Sequence, residues 1–345
     1  MLEERIIDKV LNTEYMIDIN QSRCLRMRFN KNTCSKCMDS CYARAITIDN
    51  GIRIDRNACS ECMLCVSACK SGCLEIKDSD FYSLIGRLRN VQSQLLPTVL
   101  SCNVREGLAA HAKTFCFGYL SEEHIIALSI FMYEPLLINL TECIECRNGF
   151  IVEALKKRLE SIKEKISIAI FQKIILVENK ADLYYREIPY DRRGFFSTLK
   201  MIAFQKAAGI IDNRDREKEV QAYSDKKLPF RMELLNRIFA ISSMELKEEL
   251  LRNYYFDITL GENCNDCYAC VGMCPTGSLK IDRDGGESSQ LVFKAFLCNG
   301  CKLCESFCMN NSIYIKQGFS GHNPFGFSNM QGTSGKGKVL SKLIV

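Results

Sequence analysis

Cysteine is the residue type in this chain whose number and spacing could do chemistry. The sequence has 345 residues and 21 cysteines, and many of the cysteines fall in four short segments. These segments begin at Cys34, Cys59, Cys264 and Cys298, and two or three residues separate successive cysteines within each. Thiolates spaced in this way can reach one metal centre from a single loop. The pattern therefore predicts metal ligation.

The rest of the sequence favours metal ligation over disulfide bonding. The first fifteen residues are charged throughout and contain no secretory signal. Cysteines of a chain that is not exported lie in a reducing compartment, where disulfides are rare. The longest apolar stretch, residues 125–140, is interrupted by Glu134 and Pro135 and is too short to cross a bilayer. We therefore expect a cytoplasmic protein without a membrane span.

The formal net charge of +5 does not indicate a nucleic-acid-binding protein, because it counts cysteine as neutral. A [4Fe–4S] cluster with its four thiolates carries roughly −2, so four such clusters bring the total to about −3. We expect no nucleic acid among the partners.

Each cysteine segment leads into a short stretch in which apolar residues alternate with other residues. The alternating pairs are Ile46/Ile48, Leu74/Ile76, Leu279/Ile281 and Ile313/Ile315. Alternation at period two after a turn predicts a short strand. The four repeats form two adjacent pairs, one near each end of the chain. The sequence therefore predicts two similar small modules with a different region between them.

The spacing C-x₂-C-x₂-C-x₃-C resembles the bacterial-type dicluster ferredoxin family, over residues 20–78 and 257–317. In that family three cysteines of a segment ligate one cluster and the fourth ligates the other. The resemblance implies four [4Fe–4S] clusters and electron transfer. For the C-terminal module it implies the ligand sets Cys264, Cys267, Cys270, Cys308 and Cys298, Cys301, Cys304, Cys274. Pro275 follows Cys274 as in the family, whereas Met309 follows Cys308.

The N-terminal module departs from the family pattern at one ligand. Lys31 stands where the first cysteine of the first segment is expected. Cys24 is the favoured replacement, with Cys73 as a small buried apolar residue. Cys73 is the other candidate, and a three-iron cluster or a non-cysteine ligand is the remaining possibility. The implied sets are Cys24, Cys34, Cys37, Cys69 and Cys59, Cys62, Cys65, Cys41.

The region between the modules has a different pattern. Strand-like stretches at residues 98–102, 136–140 and 173–179 alternate with helical stretches at 122–133 and 150–165. Strands that alternate with helices predict a small parallel α/β sheet. Ser121 is the predicted N-cap of the first helix.

Four cysteines of this region lie at or after the ends of predicted strands: one ends the first strand, one lies in the loop before the first helix, and two follow the second strand. They are Cys102, Cys116, Cys143 and Cys146. The carboxyl ends of parallel strands form the ligand crevice of an open α/β sheet, so these thiols are expected to meet there. Such a site suits one zinc ion or a fifth iron–sulfur cluster. The alternative is that Cys102 and Cys116 are core thiols and that Cys143 and Cys146 form an unmetallated pair.

The predicted fold class is α+β and α/β multidomain, with two ferredoxin-like dicluster modules that flank a small parallel α/β domain with a helical linker. The expected parts are an N-terminal segment (1–19), the N-terminal module (20–78), the α/β domain with the four-cysteine site (79–181), a basic helical linker (182–256), the C-terminal module (257–317) and a flexible tail (318–345).

No motif for a second cofactor is present, and the three histidines of the chain form no catalytic pattern, so we predict no catalytic residues. The favoured function is an iron–sulfur electron-transfer subunit or adaptor of an anaerobic oxidoreductase complex. Its partners would be a donor and an acceptor protein within a hetero-oligomer. The alternatives are a ferredoxin-fed oxidoreductase with a metal active site in the middle domain, and a protein whose clusters are only structural.

Overall fold

The computed structural model describes residues 16–77, 81–105, 107–167, 172–187, 226–282, 289–321 and 323–330. Within these ranges the chain is a mixed α/β structure with ten α-helices and a four-stranded parallel sheet. None of the helices in this part of the chain has the length and apolar character needed to cross a bilayer.

The N-terminal cysteine segments lie between short strands and helices. These are β1 (Ile17–Ile19), α1 (Leu25–Arg28), α2 (Lys36–Asp39), β2 (Ile46–Ile48), β3 (Ile52–Ile54), α3 (Leu64–Ala68) and β4 (Leu74–Ile76). Strand β2 pairs with β3, and β1 pairs with β4, both antiparallel. In β2 the two isoleucines are buried and Thr47 is exposed, as strand alternation requires.

The central sheet is built by the region between the modules. Its elements are α4 (Phe81–Gln92), β5 (Thr98–Cys102), β6 (Ala112–Thr114), α5 (Glu122–Phe131), β7 (Leu136–Asn139), α6 (Ile151–Lys165) and β8 (Ile174–Val177). The strand order is β6-β5-β7-β8, and all neighbours are parallel. Every residue of β5 and β7 is buried, which is typical of strands with both faces covered. The parallel α/β sheet is thus confirmed, with β6 and α4 as elements that the sequence did not predict.

The two longer helices of the sheet region differ in how they are buried. Helix α6 is amphipathic, with Ile151, Leu155 and Ile162 buried. Helix α5 is buried on most of its circumference, including Glu123 and His124. Ser121 is its N-cap residue, but the Ser121 hydroxyl contacts Glu123 and His124 rather than a backbone N–H.

The C-terminal part repeats the strand pairing of the N-terminal part. Its elements are α7 (Phe230–Ile241), α8 (Met244–Tyr254), β9 (Phe256–Leu260), α9 (Ala269–Met273), β10 (Leu279–Asp282), β11 (Gln290–Phe293), α10 (Leu303–Phe307), β12 (Ile313–Gln317) and β13 (Ser328–Asn329). Strand β9 pairs with β12, and β10 pairs with β11, again antiparallel.

Two of the predicted connecting regions are described in part. Helices α7 and α8 lie in the predicted helical linker, whereas residues 188–225 of that linker lie outside the described residues. The first part of the segment predicted as a flexible tail packs on the fold: β13 pairs with β11, and the rings of Phe325 and Phe296 have centroids 4.0 Å apart. The sequence did not predict this packing, because it depends on one apolar ring within a Gly/Ser-rich segment.

Candidate metal centres

Site 1 gathers the cysteines that the sequence assigned to the first N-terminal cluster. Its members are Cys24, Cys34, Cys37 and Cys69, which line one cavity of about 670 Å³. Burial, followed by the charges of Cys69, Cys34 and Cys24, raises the pKa of Cys37 to about 12. Cys24 lies at the start of α1, where the chain turns back toward this cavity. The position left vacant by Lys31 therefore has a thiol close to it.

Cys73 also lines the cavity of site 1. Its thiol contacts other thiols there, whereas the sequence favoured a small buried apolar residue without such contacts. Its side chain is 1% exposed and hydrogen-bonds to both Cys24 and Cys69. These hydrogen bonds and burial raise the pKa of Cys73, whereas the same bonds lower the pKa of Cys24 to about 6 and that of Cys69 to about 5. Cys73 thus keeps its single proton, which it shares between the sulfurs of Cys24 and Cys69.

Site 2 gathers the second predicted N-terminal set. Its members are Cys41, Cys59, Cys62 and Cys65. Burial raises the pKa of Cys65, followed by the charges of Cys62 and Cys59 and, more weakly, of Cys37 and Cys41. Helix α2, which carries Cys37 of site 1, packs against α3, which carries Cys65, so the two N-terminal sites are neighbours.

The C-terminal cysteines also form two groups. Site 3 consists of Cys274, Cys298, Cys301 and Cys304, and site 4 of Cys264, Cys267, Cys270 and Cys308. The four cysteines of site 4 line one cavity of about 170 Å³. Burial is the first cause that raises the pKa of Cys304, and the charges of Cys301, Cys298, Cys274 and the site 4 residue Cys270 add to it. Sites 3 and 4 are therefore neighbours as well.

The middle site is formed at the carboxyl edge of the parallel sheet. Cys102 ends β5, Cys116 follows β6, and Cys143 and Cys146 follow β7. Burial raises the pKa of Cys143 to about 12, and the charges of Cys102 and Cys146 contribute in the same direction. Cys116 is affected in the same way by Cys102 and Cys143. The sheet thus brings together the four thiols that the sequence placed at its edge.

All five groups have the donor chemistry of iron–sulfur ligation, which is four thiols per group. In the described ranges, no three or more His, Cys, Asp or Glu side chains are arranged so that they could hold a single metal ion. A single ion draws its ligands together more tightly than a cluster does, because iron and sulfide atoms of a cluster lie between the thiolates.

The middle site lies directly against site 2. The Asn148 side-chain amide donates to the carbonyl of Ser60 at 2.9 Å and to the Cys116 sulfur at 3.8 Å. Gly118 packs so closely on this loop that a Cβ atom there would overlap the carbonyl oxygen of Cys62. Cys62 is also among the thiols whose charge raises the pKa of Cys116, after burial.

Sites 1 and 3 face each other across the contact between the two ends of the chain. Cys301 lines the same cavity as the cysteines of site 1. The Asn299 amide donates to the carbonyl of Lys70 at 3.0 Å, and Arg28 Nε donates to the carbonyl of Met273 at 3.2 Å. Each of these four residues is within four positions of a cysteine of site 1 or site 3.

The five groups therefore follow one another in a single order: middle site, site 2, site 1, site 3, site 4. The sequence predicted the membership of sites 1 to 4 from cysteine spacing and that of the middle site from the ends of the predicted strands. It did not predict the contacts between groups, because Asn148, Arg28 and Asn299 belong to no cysteine motif. For the close approach at Gly118 the sequence contained one weak indication, which is the presence of a glycine two residues after Cys116.

No protein-family model, no curated protein and no solved structure matches this chain.

Proposed function

We propose that the chain is an iron–sulfur electron-transfer protein with four [4Fe–4S] clusters at sites 1 to 4. The observation that carries the proposal is the assembly of sixteen cysteines into four groups of four, in the ligand partition typical of dicluster ferredoxins. Both ends also share one strand pairing, in which an inner hairpin is enclosed by an outer antiparallel pair. Each end would then be a ferredoxin-like module.

The serial order of the groups supports a role in conducting electrons. Transfer between centres becomes rapidly slower with distance, so centres in a row pass electrons along the row. The protein would hold the clusters close, exclude water and set their potentials through hydrogen bonds to sulfur. Such bonds are present at Cys274, which is 3.2 Å from the Ser278 hydroxyl, and at Cys308, which accepts from the Ser312 N–H at 3.3 Å.

The middle site extends this row by one centre at the end near site 2. A zinc ion there would stabilise the loops, whereas a fifth iron–sulfur cluster would be a further redox centre. Its position against Cys62 and Ser60 favours the cluster, because a structural ion has no need to adjoin a redox centre.

The two ends of the row carry exposed apolar side chains that suit redox partners. Met309, next to Cys308 of site 4, is 94% exposed, and Ile144, between Cys143 and Cys146, is 81% exposed. These are the two most exposed large apolar side chains of the described residues. We propose that one partner docks at each end, as in an adaptor or subunit of a larger anaerobic oxidoreductase complex.

Anaerobic purification with counts of iron, zinc and acid-labile sulfide tests the proposal. Four clusters give about 16 iron per chain, and a cluster at the middle site raises this to about 20. About 16 iron with one zinc would make the middle site structural. Iron well below 16 after reconstitution would refute the four-cluster proposal, and clusters that cannot be reversibly reduced would favour a purely structural role.

A further inference from the structure

The four cysteine segments differ in the residues that follow their last cysteine. The segments that end in sites 1 and 3 continue as CKSGC from Cys69 and CPTGS from Cys274. The segments that end in sites 2 and 4 continue as CYARA from Cys41 and CMNNS from Cys308. A hydroxyl residue two positions after the cysteine, followed by glycine, thus distinguishes the two sites that face each other between the ends of the chain.

At site 3 two buried hydroxyl groups lie at the sulfur of Cys274. The hydroxyl oxygens of Thr276 and Ser278 are 3.6 and 3.2 Å from this sulfur, and both residues are buried. Ser278 also forms a hydrogen bond with Cys298 of the same site. A metal-bound thiolate has no proton to donate, so the hydroxyls are the donors. They favour negative charge at site 3.

Site 1 has an equivalent pair of side-chain donors at Cys69. The hydroxyl oxygen of the buried Ser71 lies 3.5 Å from the Cys69 sulfur. The thiol of Cys73, at the position of Ser278, forms a hydrogen bond with the same sulfur. Sites 1 and 3 therefore share two side-chain donors at one ligand.

The last cysteines of the other two segments accept from the backbone instead. Cys41 accepts from the N–H of Ala45, and Cys308 accepts from the N–H of Ser312. The Ser312 hydroxyl donates to the carbonyl of Asn310 at 3.0 Å and not to sulfur. In the described part of the chain, no side-chain donor is thus found at either of these two sulfurs.

The remaining side chains at sites 2 and 4 do not reverse this difference. Ser60 forms a hydrogen bond with Cys62 of site 2. At site 4 a carboxylate oxygen of Asp266 lies 3.9 Å from the sulfur of Cys264, where it opposes further negative charge. Site 4 is therefore the least favourable of the four sites for an added electron.

A buried cation lies at the contact between sites 1 and 3. Arg28 is 8% exposed, and its guanidinium donates to the carbonyls of Ser22 at 2.9 Å and Met273 at 3.2 Å. Ser22 lies two residues before Cys24, and Met273 directly precedes Cys274. The guanidinium thus joins a ligand segment of each site. Its charge acts strongly there, because little water screens a buried group.

We propose that sites 1 and 3 have higher reduction potentials than sites 2 and 4, so that electrons collect at the contact between the two ends of the chain. This inference rests on the proposed four clusters. Reduction adds one negative charge, which donors at sulfur and an adjacent cation stabilise. Two electrons, delivered one at a time by the donor protein, reduce sites 1 and 3 from the 2+ to the 1+ state and pass one at a time to the acceptor. The chain then stores an electron pair between its partners.

A potentiometric titration of the anaerobic, full-length protein with dithionite, followed by EPR spin counts, tests this order. The spins of sites 1 and 3 should appear in a first step and those of sites 2 and 4 in a second step at lower potential. The double variant Cys301→Ala/Cys304→Ala should remove about one spin from the first step. The double variant Cys264→Ala/Cys267→Ala should remove about one spin from the second step. A single step, or the reverse assignment, would overturn the proposal.

Two serines at the same position of their segments provide a matched pair of variants. Ser278→Ala removes a donor at site 3, so the ratio of reduced to oxidised cluster at a given potential should fall about tenfold, a shift of about 59 mV for one electron. Ser312→Ala should shift neither step, because its hydroxyl donates to a carbonyl. Equal shifts in the two variants would contradict the role assigned to the hydroxyl groups.

The contribution of the buried cation is measured by two substitutions of Arg28. Arg28→Gln should lower the potentials of both clusters in the first step, whereas Arg28→Lys keeps the charge and should restore them toward the wild-type values. Equal potentials in the two variants would show that the charge does not act on these sites. Iron counts separate this inference from the proposed function. About 16 iron with a different order overturns the inference alone, and iron well below 16 overturns both.

Discussion

At the scale of single residues, the last cysteine of each segment has a hydrogen-bond donor at its sulfur. The residue four positions further along the chain supplies this donor. Ala45 and Ser312 offer their backbone N–H to Cys41 and Cys308, both at 3.3 Å. Ser278 places its hydroxyl at Cys274, and Cys73 places its thiol at Cys69. Cys73 stands at the position of Ser278, so we expect it to act as a hydrogen-bond donor rather than as a ligand.

This difference predicts opposite results for the two cysteines that could complete site 1. Cys24→Ala should remove a ligand, so iron should fall by one to four atoms per chain, depending on whether a three-iron cluster survives. Cys73→Ala should leave the iron count unchanged and lower the potential of the site 1 cluster, because one hydrogen bond to sulfur is lost. Iron analysis and a redox titration followed by EPR measure both. The assignment of Cys24 fails if Cys73→Ala loses iron and Cys24→Ala does not.

His124 predicts a pH dependence of stability. Its pKa is lowered from 6.5 to about 3, mainly by burial. The charge of Glu123 acts to raise this pKa, and the charges of Arg231 and Arg158 act to lower it. The Ser121 hydroxyl donates to Glu123, so the neutral imidazole donates from Nδ1 to Ser121 at 2.8 Å. Below pH 6.5 His124 binds a proton in the unfolded chain but stays neutral in the folded chain. The free energy of unfolding therefore falls as the pH is lowered.

When the pH is lowered from 6.5 to 5, this histidine should lower the free energy of unfolding by about 2 kcal/mol. His124→Gln should remove that slope while it lowers stability at pH 7. Urea unfolding followed by circular dichroism at several pH values measures the slope. An unchanged slope in the variant would mean that His124 is protonated in the folded protein.

At the scale of elements, α5, α7 and α3 are joined by one buried ion pair. Glu123 of α5 and Arg231 of α7 are both largely buried, and Arg231 Nη1 also donates to the carbonyl of Ser67 in α3 at 2.9 Å. Burial raises the pKa of Glu123, but the charge and hydrogen bonds of Arg231 outweigh it and hold that pKa at about 2. The carboxylate therefore stays charged, with Arg231 as its cationic partner and the Ser121 hydroxyl as a further donor.

Arg231→Met should destabilise the protein by about 3 to 5 kcal/mol, because it leaves a buried carboxylate unpaired. Arg237→Met in the same helix is the control. Arg237 lies over the Tyr82 ring at 4.5 Å, and its loss should cost about 1 kcal/mol. Urea midpoints at pH 7 compare the two. Equal losses of stability in the two variants would show that the Glu123–Arg231 ion pair contributes no more than the contact of Arg237 with Tyr82.

The sequence predicted these elements unequally, for physical reasons. Long apolar runs such as β5 and β7, and the periodic pattern of α6, were predicted because local pattern and burial agree in them. Strand β6 has three residues and a central lysine, so it carries no strand signal. Cysteine spacing predicted how the cysteines of sites 1 to 4 are grouped, since a loop of fixed length reaches a fixed distance. The pairing of Arg28 with Met273 could not be predicted, because it depends on packing between residues far apart in sequence.

At the scale of the whole molecule, the chain folds back so that its two ends meet. The rings of Phe29 and Phe307 pack edge to face with centroids 5.1 Å apart, and the Asn32 amide lies 3.4 Å from the Ser306 hydroxyl. These contacts join the two ends of the chain, and the hydrogen bonds Asn299–Lys70 and Arg28–Met273 place site 1 beside site 3, although about two hundred residues separate their segments. The middle site lies against site 2, which leaves site 4 and the middle site at opposite ends of the row.

The serial order predicts which centres interact magnetically. If sites 1 to 4 hold the proposed clusters, then on full reduction neighbouring clusters broaden each other's EPR signals, and the effect fades with distance. The double variant Cys301→Ala/Cys304→Ala removes two ligands of site 3, so the signal of site 1 should become narrower. Cys264→Ala/Cys267→Ala removes two ligands of site 4 and should leave the signal of site 1 as it is in the wild type. Iron counts must fall by about four in each double variant for the comparison to hold. If loss of site 4 narrows the signal of site 1 as much as loss of site 3 does, the clusters do not lie in this order, and electrons entering at one end need not cross the contact between Asn299 and Lys70.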